Sequence, residues 1–463
     1  MEGPVRAVAE VEDPIRRALE PTAEFLRRVS ETCEKLVAKA TSTAHREGIP
    51  LVRAVVAGSA ARGTYLTDRL DIDLFLLFPP ELPRAELERH GLALGGQLFL
   101  QSERRYAEHP YLRGQFDGFS VDAVPGYAVT DPSHPLSAVD RTPFHNEFLL
   151  HRQNPEMVAE VRLTKQFLRA MRVYGSEART QGFSGYLVEL LLLKYGTLDA
   201  LLKEARGWHP PVRITYTPGS APRVPPELPL VLDDPVDPGR NVSSALSMRN
   251  FATFVLAAQA YLDAPSPRFF RPPTPARLSR AEALERVKGR GTHVAVLTLP
   301  RPELVDDIIF PQLQKAARAL GEEAARLGFL VTGSAFAASD RSVTVLLETE
   351  QSRLPEVKPQ DGPPAGVGRV DAFLAKWLAP GAPTLQGPFV TEEGRLAIEV
   401  RRPVRELEPA LTSSLERLSL GRDLVRGRTA TSALYPLEEA AETPELATAL
   451  SELLDKRLPW LAE

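Results

Sequence analysis

Residues 57–78 read AGSAARGTYLTDRLDIDLFLLF, and the last eight of them decide the fold. DIDLFLLF alternates as a strand does, and it stops at Pro79 and Pro80. A two-residue period places Asp71 and Asp73 on one face of that strand. Phe75, Leu77 and Phe78 make it unfit for full exposure. Upstream, Gly58 and Ser59 form a turn after an apolar run, where backbone could approach a triphosphate. The amides opening the next helix would face phosphate oxygens, and Arg62 follows one turn on. A third acid, Asp122, sits in FSVDAVP, a separate short strand over 119–125. Three carboxylates aimed at one place repel unless cations hold them. Magnesium accepts all-oxygen ligands, and a pair of such ions about 3.5–4 Å apart can serve an attacking hydroxyl and a leaving pyrophosphate.

The rest of the chain sets limits on this reading. Its 463 residues are 43% apolar and 25% charged, values of a soluble protein with about three domains. The most apolar run, 187–193, is interrupted by Glu189 and is too short to cross a membrane. The opening MEGPVRAVAEVEDP is acidic, unlike a signal peptide, so a cytoplasmic location is expected. Cys33 is the sole cysteine, which excludes an internal disulfide and a cysteine-based zinc site. The net charge of −4 argues mildly against a nucleic-acid binder, yet 153–213 holds nine Lys/Arg against six Asp/Glu. A groove needs only such a local basic face.

The fold class expected is α+β and multidomain. A mixed head covers 1–150, a helical neck 151–272, and an α+β body and tail 273–463. In the head a helix starts at Asp13 and Pro14 and runs to about Arg46, and strands follow over 49–57, 71–78, 96–103 and 119–125. Neck helices are expected over 156–173, 186–202 and 242–262. After Pro272 and Pro273 come a strand at 293–298, a helix at 304–327 and a hairpin at 329–348. A Pro/Gly-rich loop at 355–367, a helix at 370–377 and a strand at 396–401 complete it.

The order G-S-x-x-R-G, then D-x-D twelve residues after the serine, then an isolated strand aspartate, is similar to the polymerase-β-like nucleotidyltransferases. Beyond the head, the chain resembles the archaeal class I CCA-adding tRNA nucleotidyltransferases. The likeness runs through AVDRTPFHN (138–146), TKQFLRAMRVYGSEARTQGFSGY (164–186) and DPVDPGRNVSSALS (234–247). It continues in DIIFPQL (307–313), GPFVTEEGRLAIEVRR (387–402) and LPWL (458–461).

This resemblance implies a template-independent enzyme that adds CCA to tRNA from CTP and ATP with Mg2+. It implies Asp71, Asp73 and Asp122 as metal carboxylates, the first shorter by one methylene than the glutamate common there. It also implies Ser59 and Arg62 at the triphosphate, Thr142 and His145 near the incoming nucleotide, Lys165 and Tyr174 at its phosphates and sugar, and Arg240 at the base edge. An arginine fork suits that last task, since cytosine and adenine both present acceptors. Without the family, Lys165 and Arg240 read as solvated helix and loop charges and His145 as a core or turn histidine, and residues 183–186 read as packing. Arg395, Arg401 and Arg402 are the tRNA-gripping residues expected in the last region. A homodimer is compatible with the reading, and no membrane is involved.

Three alternatives share parts of the pattern. A poly(A)-type polymerase shares the head. An RNA-binding protein with an inert head would not need the acid triad. A transferase of small-molecule acceptors would not need the long chain that follows.

Overall fold

A computed structural model describes residues 2–461 apart from 107–108, 221, 223, 226, 273–276 and 427–431. Pro273, where the third region was expected to open, lies outside the described residues. The chain forms two compact units, Met1–Thr274 with Arg457–Glu463, and Pro275–Lys456. The last residues, expected in the third region, thus belong to the first unit: Trp460 stacks on Phe269 with ring centroids 5.8 Å apart.

The first unit opens with α1 (Glu2–Ala18) and α2 (Ala23–Arg46). The helix expected to start at Asp13 instead passes through Pro14. A proline removes only one helical donor, and with helix already upstream the break comes later, at Pro21. Thr22 then caps α2 by accepting the Phe25 N–H at 3.2 Å. Next come β1 (Arg53–Ala57), α3 (Gly58–Arg62), β2 (Asp71–Phe78), α4 (Arg84–Leu98), β3 (Ser102–Tyr106), β4 (Pro110–Phe116) and β5 (Phe119–Tyr127). The strand expected at 96–103 is corrected: α4 runs on to Leu98 and β3 begins at Ser102.

The five strands order as β1-β2-β5-β4-β3. β2 and β5 are parallel, and every other neighbouring pair is antiparallel. Alternation along β2 sends Ile72, Leu74, Leu76 and Phe78 into a core with Leu36 and Ala40 of α2 and Leu87 and Leu94 of α4. Phe75 and Leu77 pack on the opposite face, with Ala57. That opposite face is also the one carrying the acids.

The helical part follows with α5 (Thr142–Leu150), α6 (Pro155–Ala170), α7 (Gly185–Tyr195), α8 (Leu198–Ala205), the short strands β6 (Val212–Ile214) and β7 (Leu230–Leu232), and α9 (Met248–Asp263). The helix expected over 186–202 is two helices. Gly196, at φ 85°, ends α7, and Thr197 caps α8 by accepting the Ala200 N–H at 3.2 Å. Likewise α9 starts at its Ser247 cap rather than at Val242, which is buried beside it in the same core.

The second unit contains α10 (Arg280–Arg290), β8 (His293–Pro300), α11 (Asp306–Leu327), β9 (Val331–Ala338), β10 (Ser342–Thr349), β11 (Val357–Pro364), α12 (Val370–Trp377), β12 (Thr384–Val390), β13 (Arg395–Arg401), α13 (Leu407–Ser414), α14 (Arg422–Arg426), β14 (Tyr435–Pro436) and α15 (Pro444–Leu454). One antiparallel sheet orders β14-β8-β10-β9, with α11 buried on one face and α15 on the other. A second sheet orders β11-β13-β12. The loop expected at 355–367 is therefore mostly strand. Its prolines fit because β11 is an edge, where a missing donor faces away from the ladder. Among the described residues, no helix is long and apolar enough to cross a membrane.

Candidate active site

The parallel register of β2 and β5 sets Asp73 opposite Asp122 and Asp71 opposite Ser120. On β1, Ala57 faces Asp73. A single row thus crosses the sheet from Ala57 through Asp73 to Asp122 and on to Arg113 of β4. Gly58 follows Ala57 at φ 71°, and a Cβ there would collide with the Asp73 carboxylate. Glycine is needed twice over: for the left-handed backbone and for the close approach. Ser59 is half-buried at the same turn.

The acids are not equivalent. Asp71 has a half-exposed side chain, whereas Asp122 is nearly buried. Burial, then the charges of Asp122 and Asp71, push the Asp73 carboxyl up to about 7, against the pull of Arg113 and Arg62. Asp122 is gripped by Arg113, whose Nε donates to Oδ1 at 2.6 Å and whose Nη2 donates to Oδ2 at 2.5 Å. The same Nη2 lies 3.4 Å from Asp71 Oδ2. Among the described residues, no group of three His, Cys, Asp or Glu side chains is set to hold an ion as it stands. The guanidinium occupies the direction in which Asp71 and Asp122 would converge.

Arg62 and Lys165, which the resemblance sends to the triphosphate, here end on Glu189. Arg62 donates to both Glu189 oxygens, at 2.6 and 3.1 Å, and to Asn146 Oδ1 at 2.8 Å. Lys165 Nζ donates to the Thr64 carbonyl at 2.8 Å and lies 3.4 Å from Glu189 Oε1. Thr64 Oγ1 and Gln153 Nε2 also donate to Glu189, at 2.8 and 3.0 Å. Burial raises the Glu189 carboxyl, but Lys165, Arg62 and these hydrogen bonds outweigh it and hold it below its ordinary value. A carboxylate, two cations and a hydroxyl thereby fasten the end of α3 to α6 and α7.

Tyr174 comes to the same place by a backbone crossing. Gly175 and Phe183 pair at 2.9 Å, Gly182 donates to Gly175 at 2.7 Å, and Phe183 donates to Val173 at 2.7 Å. A Cβ on Gly182 would strike the Val173 carbonyl. A Cβ on Gly185 would lie 3.3 Å from the Tyr174 hydroxyl and 3.7 Å from Lys165 Nζ, so those two polar ends share one spot.

The remaining residues gather around Asp234, the first residue of the stretch DPVDPGRN. His145 Nε2 donates to Asp234 Oδ2 at 2.8 Å, Arg240 Nη1 to the same oxygen at 2.9 Å, and the Tyr186 hydroxyl to Oδ1 at 2.9 Å. Tyr186 also stacks on His145 with centroids 4.1 Å apart. Tyr186, read from sequence as packing alone, is therefore part of this cluster. Burial lowers His145 more than Asp234 raises it, which favours the neutral imidazole, and the ring donates its N–H to Asp234. Burial would raise Asp234, yet these donors and the Val236 N–H hold it at about 2. Thr142 is half-buried at the first turn of α5, one turn before His145. In the second unit, Arg401 pairs with Glu356 at 2.8 Å, Arg395 donates to the Gly362 carbonyl at 2.7 Å, and Arg402 is partly buried.

Comparison with known proteins finds matches in the head, the helical region and the second unit. Residues 38–145 match the nucleotidyltransferase domain family, 159–271 the second domain of tRNA nucleotidyltransferase, and 290–430 the C-terminal domain of the CCA-adding enzyme. The CCA-adding enzyme of Halobacterium salinarum is 37% identical over 415 residues, 89% of this chain and 90% of its own. That of Methanosarcina mazei is 36% identical over 88% of this chain and 89% of its own. That of Methanothermobacter thermautotrophicus is 35% identical over 89% and 90%. With head, helical region and C-terminal region all matched, the chain belongs to the archaeal-type CCA-adding tRNA nucleotidyltransferases.

Proposed function

We propose that the row Ala57, Asp73 and Asp122 is the reaction centre at which this chain adds two C residues from CTP and one A from ATP to tRNA, without a nucleic-acid template. The observation that carries this reading is the register pairing of Asp73 with Asp122 beside the Gly58 turn. Asp71, Asp73 and Asp122 would hold divalent cations. The donor set fits: it is all oxygen, and burial together with the charges of Asp122 and Asp71 raises the Asp73 carboxyl to about 7, a repulsion that a cation would relieve. Magnesium is the ion suited to such ligands. Ions bound there supply activation of the attacking hydroxyl and charge stabilisation of the leaving pyrophosphate.

The chain's own residues do the positioning, which dominates phosphoryl transfer. The Gly58 turn brings backbone and Ser59 close to the acids. Arg62, Lys165 and Tyr174 place positive charge and a hydroxyl donor behind that turn. Arg240 is held at one end by Asp234, with 36% of its side chain exposed, and can present its fork to a base edge. His145 and Thr142 border the same space. The second unit, with Arg395, Arg401 and Arg402, grips the tRNA by shape and backbone, as double-stranded RNA demands. A lone cysteine supports a cytoplasmic location.

The test is nucleotide incorporation on tRNAs ending before the first C, after the first C and after the second. CTP should enter the first two and ATP the third. Incorporation of ATP alone on all three would replace this reading with a poly(A)-type activity.

A further inference from the structure

Arg113 is the fourth member of the row that contains the acids. Its strand, β4, pairs antiparallel with β5 so that Arg113 stands directly opposite Asp122. Side chains paired in register point to the same face, so the guanidinium is delivered to the carboxylates by the sheet itself. It engages both oxygens of Asp122, at 2.6 and 2.5 Å, and reaches Asp71 at 3.4 Å. Glu103, its register neighbour on β3, is turned to Arg105 at 3.0 Å. The acids Arg113 holds are thus two of the three assigned to metal.

We propose that Arg113 is an internal counter-cation of the metal site, competing with the divalent ion for Asp122 and so setting the metal affinity of the head. This rests on the metal reading above. Both Asp122 oxygens are occupied, and the side chain is only 10% exposed, so an incoming ion has little of that carboxylate to itself. Arginine stays charged at every accessible pH and cannot yield by losing a proton. It must swing away, which forfeits a two-bond ion pair, or remain beside a like charge, which Coulomb repulsion opposes. Both routes weaken metal binding. Arg113 is 27% exposed and so has solvent to swing into. In exchange, the guanidinium offsets part of the negative charge of the row when no metal is bound. A merely orienting arginine would have the opposite effect, since its loss would let Asp122 wander and metal binding would weaken.

The sign of one measurement separates the two. Mn2+ binding to the full chain, without nucleotide or tRNA, is titrated by the electron paramagnetic resonance of the free ion. The proteins compared are wild type, Arg113→Gln, Arg113→Lys and Asp73→Asn. Arg113→Gln should tighten Mn2+ binding about tenfold, and Arg113→Lys, which keeps the charge but loses the fork, about threefold. Unchanged or weaker binding in Arg113→Gln overturns the inference, and if that variant fails to fold, unchanged or weaker binding in Arg113→Lys does so. If Asp73→Asn binds Mn2+ as wild type does, the metal reading itself fails and this inference falls with it. If Asp73→Asn loses the ion while the arginine variants gain nothing, only the role of Arg113 is refuted.

Discussion

Glu189 accepts hydrogen bonds from Arg62 through both of its carboxylate oxygens, across 127 residues of chain. Lys165 is 1% exposed and approaches the same carboxylate. The helix that follows the Gly58 turn is therefore fixed to the helical region by buried charges rather than by apolar packing alone. Removing one partner from a buried ionic cluster leaves the others uncompensated, which costs about 3–5 kcal/mol. Glu189→Ala should lose stability of that size in urea unfolding of the full chain. A loss below about 1 kcal/mol, the worth of an exposed pair, would mean that the cluster is not the fastener described.

The Gly58 turn makes a sharper demand. Alanine there meets two obstacles: φ of 71° and the carboxylate of Asp73. Misplacement of a reacting group by about 1 Å can cost on the order of 100-fold in rate. Gly58→Ala should therefore lose about that factor in CTP incorporation while staying folded, with a melting temperature lowered by the strain of a left-handed alanine. Incorporation within threefold of wild type would show that the turn does not set the position of Asp73.

The legible and the hidden parts of this site differ in kind. Asp71 and Asp73 could be set on one face because strand periodicity turns sequence spacing into a shared face, whereas Asp122 could be set only on a separate strand. Their register could not, since it depends on β2 and β5 being parallel neighbours 49 positions apart. β4 is not among the strands that alternation predicts, though Asp117 and Gly118, at φ 49° and 83°, are the dipeptide that a tight hairpin turn prefers. With β4 went Arg113, an unremarkable arginine until it is seen opposite Asp122. Glu189 interrupts an apolar run, and Asp234 opens DPVDPGRN with nothing local to mark it as a hub. Each owes its place to partners more than 30 residues away, to Arg62 and Gln153 for the first and to His145 and Tyr186 for the second. No local pattern carries such pairings.

A second buried acid gives a dependence on pH. Glu12 of α1 is 4% exposed, and burial, together with the nearby Glu160, raises its carboxyl from 4.5 to about 7 against the pull of Arg16. In the unfolded chain the group ionises near 4.5, so between there and about 7 the folded state holds a proton that the unfolded state has lost. Its contribution to stability is then complete below pH 4.5 and falls as pH rises through 7. Glu12→Gln abolishes the titration and should be more stable than wild type at pH 8 by on the order of 2 kcal/mol. The gain should shrink toward pH 5. A constant difference from pH 5 to pH 8 in parallel melts would contradict the raised carboxyl.

Asp234 makes the opposite case, a buried acid with a depressed pKa. Held at about 2, it stays ionised throughout the working range and lends no pH dependence there. What it lends is orientation. His145, Arg240, Tyr186 and the Val236 amide all donate to its two oxygens. In Asp234→Asn one oxygen becomes an amide NH2, a donor facing donors, and the charge is gone. Hydrogen bonds to a charged group are worth about 1.5–3 kcal/mol, so losing one corresponds to about 10–100-fold. Because Arg240 and His145 are proposed to touch the nucleotide and not the tRNA, the loss should appear in KM for CTP and ATP. The Kd for tRNA should stay within about twofold, well inside 1 kcal/mol. Selectivity against UTP and GTP should fall with it, since a loosened Arg240 fork no longer presents fixed donors. Unchanged nucleotide KM values would show that the Asp234 cluster packs α5 against α7 and has no part in reading the base.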